Sequence, residues 1–106
     1  MKAFALGWAL LLGASPAYIE VEISDQGFRP ESLEVDVGRT ITWYNISRDT
    51  HSVTSRSPAG APADFHSGPI RPGHSFEHTF TRPGVFTYHS EFDPSFRGTI
   101  IVRERP

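Results

Sequence analysis

The sequence predicts an antiparallel β-sandwich or barrel of about seven strands. Short segments that alternate apolar with polar residues recur along the chain, and they are rich in β-branched and aromatic side chains. Turn signals built from Gly, Pro, Asn and Asp separate these segments, and no segment has the periodicity of an amphipathic helix. The 106 residues suffice for one domain, so these observations favour a single all-β unit.

The first half of the chain supplies three of the predicted strands. Their side chains alternate between apolar and acidic or polar types, which is typical of strands that are buried on one face. Turns are expected at Asp25–Gly27 and Gly38–Arg39, and Pro30 interrupts the extended segment between the first two strands. The predicted strands are Tyr18–Ile23, Leu33–Val37 and Thr40–Asn45.

The second half begins with a polar loop and an irregular segment, residues 55–64, that is rich in Ser, Pro, Gly and Ala. Two Pro-Gly turns, at Pro72 and Pro83, bracket one strand and indicate that its neighbours run antiparallel to it. Residues Ser90–Arg97 are expected to form a loop at the same end as the turn at Pro72. The predicted strands are His51–Thr54, Ser75–Phe80, Gly84–Ser90 and Thr99–Val102.

Residues 1–17 resemble a secretory signal peptide. Lys2 precedes an apolar run, Ala3–Leu12, and the small residues Ser15 and Ala17 then stand where a signal peptidase would cut. We therefore expect a domain of residues 18–106 in a periplasmic or secreted protein, the alternative being an uncleaved N-terminal anchor. No later segment is long enough to span a bilayer.

The composition excludes several classes of partner. The net charge is −2 and no run of basic residues exists, so binding of nucleic acid or of an anionic membrane has no electrostatic basis. The chain has no Cys, so it forms no disulfide. An aromatic-rich core must stabilise this small domain instead, and Trp43 is expected to lie in it.

A series of motifs follows the predicted strands from residue 28 to residue 88. In this order and spacing they resemble the cupredoxins, the plastocyanin and amicyanin group most of all. The resemblance implies a Greek-key antiparallel β-sandwich. The motifs are Phe28-x-Pro30-x-x-Leu33-x-Val35-x-x-Gly38, Thr40-Ile41-Thr42-Trp43-x-Asn45, His51-x-Val53-Thr54, Pro72-Gly73-x-Ser75-Phe76 and Thr79-Phe80-x-x-Pro83-Gly84-x-Phe86-x-Tyr88.

The resemblance also implies where a type 1 copper ion would bind. Such proteins use a His after the Trp-x-Asn strand and then a Cys, a second His and a Met in the last loop. His51 matches the first ligand, but Ser90, Asp93 and Phe96 stand at the other three positions. The blue site needs a thiolate, and without any Cys we do not expect blue-copper electron transfer.

One hypothesis for the altered site is a non-blue, hard-ligand site for a divalent ion such as Cu(II). His51 and Asp93 would be its main ligands, because one imidazole and one carboxylate suit Cu(II) or Zn. Glu91, His89 and His74 are possible helpers, although alternation places the first two on the opposite face of their strand from Ser90. The alternative is a hydrogen-bonded His51–Asp93 pair that fills the pocket without a metal.

A second hypothesis is a metal-free interaction module that presents Phe92 and Phe96 to a partner protein. Exposed aromatic side chains are effective binding anchors. The alternatives are that Phe96 fills the former axial side of the copper pocket and that Phe92 folds back over the end of the sandwich.

The remaining candidates favour ordinary roles. His78 shares a face with two Phe residues, which predicts a histidine at the edge of the core, and His66 is expected at the surface. Ser90, His51 and Asp93 contain the residue types of a hydrolase triad, but no oxyanion hole or Gly-rich elbow accompanies them. We therefore do not expect an enzyme.

Overall fold

The computed structural model describes residues 18–57 and 63–104. These residues form eight β-strands and no helix, so they contain no helix long and apolar enough to cross a membrane. The proposed signal peptide, residues 1–17, lies outside the described residues. The strands are β1 Tyr18–Ser24, β2 Gly27–Arg29, β3 Ser32–Asp36, β4 Thr40–Asn45, β5 Thr54–Ser55, β6 Ser75–Thr79, β7 Gly84–Ser90 and β8 Asp93–Arg103.

The strands form two four-stranded sheets that pack as a sandwich. The first sheet has the order β2-β1-β4-β6, and the second has the order β3-β8-β7-β5. The all-β sandwich predicted from the sequence is confirmed, with eight strands where about seven were expected. The sheets are mixed, because β1 pairs with β4 and β3 pairs with β8 in parallel. The prediction of a purely antiparallel sandwich was therefore wrong for these two strand pairs.

The core between the sheets is aromatic, as the absence of disulfides requires. Trp43 is fully buried and contacts the rings of Phe65, Phe76, Phe80 and Tyr88 at centroid distances between 5.5 and 6.5 Å. Rings at these separations contribute about 0.5–1.5 kcal/mol per pair beyond the area that they bury. The predicted position of Trp43 in the core is confirmed.

The last loop of the prediction is instead a tight hairpin. Strand β7 ends at Ser90 and β8 begins at Asp93, so only Glu91 and Phe92 lie between them. Pairing is regular as far as His89 opposite Arg97, and a register irregularity between His89 and Ser90 follows. The loop predicted for residues 90–97 was wrong in extent, because β8 extends almost to the turn.

Two other segments differ from the prediction. Of the expected strand His51–Thr54, only Thr54 lies in a strand, and His51 forms an isolated bridge to Ile70. The turn at Pro83 does not make a hairpin either, because β6 pairs with β4 in the first sheet while β7 lies in the second. The turn therefore carries the chain from one sheet to the other.

Candidate functional site

His51 lies at one end of the sandwich in a fixed position. Its backbone N–H donates to the carbonyl of Ile70 at 3.1 Å, and the N–H of Ile70 donates back to the carbonyl of His51 at 2.7 Å. The residue is only 4% exposed. Both backbone bonds restrain the loop that carries the imidazole, so the ring is held in the interior.

Asn45 organises the loop that leads to His51. Its amide NH₂ donates to the carbonyls of Asp49 and Ile70 at 2.8 and 2.9 Å. Its side-chain oxygen accepts from the backbone N–H and the hydroxyl of Ser47 at 2.8 and 2.6 Å. All the hydrogen-bonding capacity of this fully buried amide is used, which explains the Asn that ends the Trp-x-Asn strand.

The hydroxyl of Ser90 faces His51 and is surrounded by donors. Its oxygen accepts from the backbone N–H groups of Ser52 and Phe92, each at 3.2 Å, and lies 3.0 Å from Nδ1 of His51. A hydroxyl oxygen has two lone pairs and one proton. The two N–H groups occupy both lone pairs, so the Ser90 O–H must donate to Nδ1 of His51.

This arrangement fixes the state of the imidazole. A ring that accepts at Nδ1 carries its proton on Nε2 and is neutral. Protonation at Nδ1 would direct a third donor at Ser90 Oγ and leave the Ser90 proton without its acceptor. Burial lowers the pKa of His51 in the same direction, against the opposing field of Asp93. His51 is therefore held as a neutral acceptor.

Phe96 closes the other side of the imidazole. It is 7% exposed, and its ring stacks on His51 with centroids 4.2 Å apart and an interplanar angle of 15°. Its edge contacts the ring of Phe28 at 6.0 Å. The expectation that Phe96 fills the pocket is met, so Phe96 is not available to a partner protein, and that part of the interaction hypothesis was wrong.

Asp93 is occupied at the start of β8. Its Oδ1 accepts from the hydroxyl of Ser95 at 2.6 Å and from the Ser95 backbone N–H at 3.1 Å. These two bonds, and then the field of His51, lower the pKa of the carboxyl. In the described part of the chain, no ion pair within 4.0 Å joins His51 to Asp93. The two side chains affect each other through space without a direct hydrogen bond.

The other three predicted ligands do not converge on His51. Glu91 lies 3.7 Å from Nε2 of His66, in the turn after β7. His89 points away from Ser90 and lines a cavity on the outer face of the second sheet. His74 is exposed in the turn before β6, where its N–H donates to Arg71. Within residues 18–57 and 63–104, no group of three His, Asp or Glu side chains is placed to hold a metal ion.

Ser52 and Thr54 are structural residues of the site that the sequence did not single out. The Ser52 hydroxyl accepts from the Glu91 backbone N–H at 2.8 Å and contacts the Thr54 hydroxyl at 2.9 Å. The Thr54 hydroxyl contacts Nδ1 of His66 at 3.1 Å. This network fastens the β7–β8 turn to the segment after His51. In the sequence, this hydrogen-bond network was indicated only by the high density of Ser and Thr between residues 50 and 57.

His78 lies at the edge of the core, as predicted. Its ring contacts those of Phe65 and Phe80 at centroid distances of 4.9 and 4.7 Å. Burial lowers the pKa of this imidazole as it does that of His51. His66 is exposed, which agrees with the expected surface position.

We predict that the folded state loses stability as the pH falls below 6.5, the unperturbed pKa of His51 and His78. Both pKa values are lowered in the folded state, so below 6.5 the unfolded chain binds protons that the folded chain does not. The two neutral imidazoles therefore contribute full stability above 6.5 and lose it on acidification. Urea denaturation at a series of pH values measures the effect. The variant His78→Phe should reduce the slope, and a free energy of unfolding that rises on acidification would contradict the prediction.

The donor set does not fit a type 1 copper ion. Ser90 offers a hydroxyl with both lone pairs engaged, Phe96 offers no donor atom, and Nδ1 of His51 already accepts a hydrogen bond. The blue site depends on a soft thiolate with two imidazoles. The pocket is closed by its own side chains, and we derive no chemistry through copper from it.

The two-sheet sandwich, with a buried His beside the β7–β8 turn, defines the cupredoxin class of protein. A model of the cupredoxin-like domain matches residues 3–102, so the chain belongs to the cupredoxin-like family. Amicyanin from Paracoccus denitrificans is 29% identical over 84 residues, which are 79% of this chain and 64% of amicyanin. The chain thus spans less than two thirds of that relative's length.

Solved structures agree with this assignment. A purple cupredoxin from Nitrosopumilus maritimus superposes with a TM-score of 0.72 at 28% identity, covering 80% of this chain and 99% of that chain. The Cu(I) form of an amicyanin variant superposes with a TM-score of 0.75 at 27% identity, covering 86% of this chain and 87% of that chain. This chain therefore keeps the fold of copper proteins without the Cys of the type 1 site.

Proposed function

We propose that this protein is a cupredoxin-fold interaction module that acts without a type 1 copper ion. The observation that supports the proposal is the closed pocket, in which Ser90 donates to His51 and Phe96 stacks on it. Ser90 Oγ, Nδ1 of His51 and Oδ1 of Asp93 are each engaged in hydrogen bonds, and the ring of Phe96 fills the remaining side of the pocket. The surface of the scaffold is then available to a partner, and the β7–β8 turn presents an exposed aromatic side chain at this end, that of Phe92.

Phe92 is the proposed anchor of the interaction. Its side chain is 53% exposed at the tip of the turn, so the expectation that it folds back over the sandwich was wrong. Glu91 and Asp93 flank it with negative charge. An exposed aromatic ring with an acidic residue on either side in the sequence suits a partner protein that has an apolar pocket with basic residues at its rim.

The turn is held rigidly, which favours binding. The backbone N–H of Phe92 donates to Ser90, and that of Glu91 donates to Ser52. Asp93 is fixed by its two bonds from Ser95. A preorganised turn loses little conformational entropy when it docks, so more of the contact energy appears as affinity.

We predict that Phe92→Ala weakens partner binding by at least about thirtyfold while leaving the free energy of unfolding nearly unchanged, because loss of a central aromatic anchor costs at least about 2 kcal/mol. A photo-crosslinker placed at position 92 identifies the partner in the exported fraction of the source cells, and titration calorimetry then measures the affinity. Val85→Ala is the matched control, since Val85 is 68% exposed at the opposite end of β7. Equal losses from the two variants would contradict the proposal.

A second candidate is the non-blue site for a divalent ion such as Cu(II). The observation in its favour is the mutual effect of His51 and Asp93, each of which shifts the pKa of the other. Binding through Nδ1 of His51 and Oδ1 of Asp93 would require His51 to release Ser90 and that oxygen to release Ser95. On this account the protein binds Cu(II) stoichiometrically and His51→Ala abolishes the binding. If His51→Ala still binds Cu(II), the metal is held by surface histidines instead of the proposed site.

Export to the periplasm or secretion completes the proposal, together with a role that is not enzymatic. The support for export is the arrangement of Lys2, the apolar run and the small residues before Tyr18. The support for a non-enzymatic role is that no Gly-rich elbow accompanies Ser90, His51 and Asp93. Mass spectrometry of the purified protein from its source cells tests it. A chain that begins at Tyr18 supports export with cleavage, and a cytoplasmic chain that begins at Met1 contradicts it.

A further inference from the structure

The outer face of the second sheet carries a group of polar side chains beside β5. The register of β7 and β8 places His89 opposite Arg97 and Thr87 opposite Thr99. Alternate residues of a strand share a face, so these two pairs form adjacent rows on one side of the sheet. The backbone N–H of Arg56 donates to the carbonyl of Thr87 at 2.8 Å, which extends the second row past the edge of β7.

Two cavities meet at Arg56 on this face. One has a volume of about 230 Å³ and the other of about 390 Å³. Both are open hollows of the surface rather than enclosed cavities, and both lie away from the closed pocket of His51. The first is lined by Arg56, Thr87, Tyr88, Arg97, Gly98 and Thr99, and the second by Ser55, Arg56, Ser57 and His89.

The positive charge at these cavities is not neutralised by the protein. Elsewhere on the surface, arginines pair with carboxylates, as Arg29 does with Glu22 and Arg103 does with Asp36. In residues 18–57 and 63–104, no carboxylate lies within 4.0 Å of the guanidinium of Arg56 or of Arg97. Arg97 uses only Nε, which donates to the carbonyl of Pro94 at 3.2 Å.

Some of the residues that line the two cavities have side-chain hydrogen-bonding groups without a partner among the described residues. Nδ1 of His89 is buried and has no partner in the described part of the chain. The hydroxyls of Thr87 and Thr99 also make no hydrogen bond with another described residue. Buried polar atoms normally have partners, so Nδ1 of His89, beside the second cavity, is available to water or to a ligand.

We propose that this face binds a phosphate group between Arg56 and Arg97. A guanidinium donates in a planar fork that matches two phosphate oxygens, and charge-assisted bonds of this kind are the strong ones. The hydroxyls of Thr87 and Thr99 donate to the remaining oxygens. The site is independent of the β7–β8 turn and of the closed pocket, so it stands whether or not the interaction module is correct.

Titration of the ¹⁵N-labelled protein with inorganic phosphate, at ionic strength held constant with sodium chloride, tests the site. We expect saturable shifts of the backbone amides of Arg56, Thr87 and Thr99. Because each charge-assisted bond contributes roughly 1.5–3 kcal/mol, Arg56→Gln and Arg97→Gln should each weaken binding at least about tenfold. Arg71→Gln is the control, because Arg71 is exposed and also has no carboxylate partner in the described residues. An equal loss in Arg71→Gln would overturn the proposal, and so would shifts that never saturate together with no arginine-dependent binding in a titration with phosphatidic acid vesicles.

The phosphate group is either free or part of a single lipid headgroup held by Arg56 and Arg97, which needs no run of basic residues, and a second titration distinguishes the two sources. Vesicles of phosphatidylcholine with and without phosphatidic acid are added to the wild-type protein and to Arg56→Gln. Binding of inorganic phosphate assigns a free ligand. Arginine-dependent binding to the phosphatidic acid vesicles alone assigns a headgroup. Absence of both would refute the site.

Discussion

Gly98→Ala is expected to destabilise the fold by about 3 kcal/mol, because an added side-chain atom has no space in a packed core. Strand β8 crosses the ring of Tyr88 at Gly98. A Cβ there would overlap Cζ and the hydroxyl of Tyr88 and would lie 2.7 Å from its Cε1. Tyr88 is fully buried against Phe28 and Trp43, at 4.7 and 5.5 Å, so the ring cannot move aside. Urea denaturation measures the change in the free energy of unfolding.

The double variant supplies the control. With Tyr88→Val the obstructing ring is absent, and the further change Gly98→Ala should cost less than about 1 kcal/mol, since directly contacting sites are strongly coupled. If Gly98→Ala is equally costly in both backgrounds, the contact with Tyr88 is not the reason for the glycine.

Ser90→Cys combined with Asp93→His is expected to turn the closed pocket into a copper site. A thiolate at position 90 would accept the N–H groups of Ser52 and Phe92 that Ser90 accepts now. It would also stand beside Nδ1 of His51, which is 3.0 Å from the present oxygen. Two imidazoles and a thiolate are the ligands of a blue site. We expect stoichiometric Cu(II) binding with an intense visible absorption band.

Two variants control this gain of function. Ser90→Ala with Asp93→His has the second imidazole without the thiolate, and it should bind Cu(II) without the intense band. Adding Phe96→Met to the double variant should tighten binding, because the ring that stacks on His51 is then removed. If the double variant folds and takes up no more copper than the wild type, the pocket is not the altered copper site that its motifs suggest.

The sandwich was predictable because its signals are local. Alternation along strands such as β3 and β7 and the turns at Gly38 and Gly84 report which side chains are buried and where the chain reverses. The direction of neighbouring strands could not be predicted in this way. The parallel pairings of β1 with β4 and of β3 with β8 depend on packing across the whole domain, and alternation does not encode them.

The candidate site was predictable in its positions but not in its contacts. The motifs located Ser90, Asp93 and Phe96, and alternation correctly separated His89 from Ser90. The state of His51 could not be derived from the sequence. It depends on two backbone N–H groups that meet at one oxygen, and one of them, that of Ser52, is 38 residues away along the chain. Only the three-dimensional structure allows the lone pairs of Ser90 to be counted.

Cu(II) titration of the wild-type protein, followed by visible absorption and electron paramagnetic resonance, tests the closed pocket most directly. We expect no intense visible band, no stoichiometric site, and only weak binding by exposed histidines such as His74. NMR spectra recorded during the Cu(II) titration should show that the imidazole of His51 keeps its proton on Nε2 as the metal is added. A stoichiometric Cu(II) site that is lost in His51→Ala would contradict the closed pocket and support the hard-ligand metal site instead.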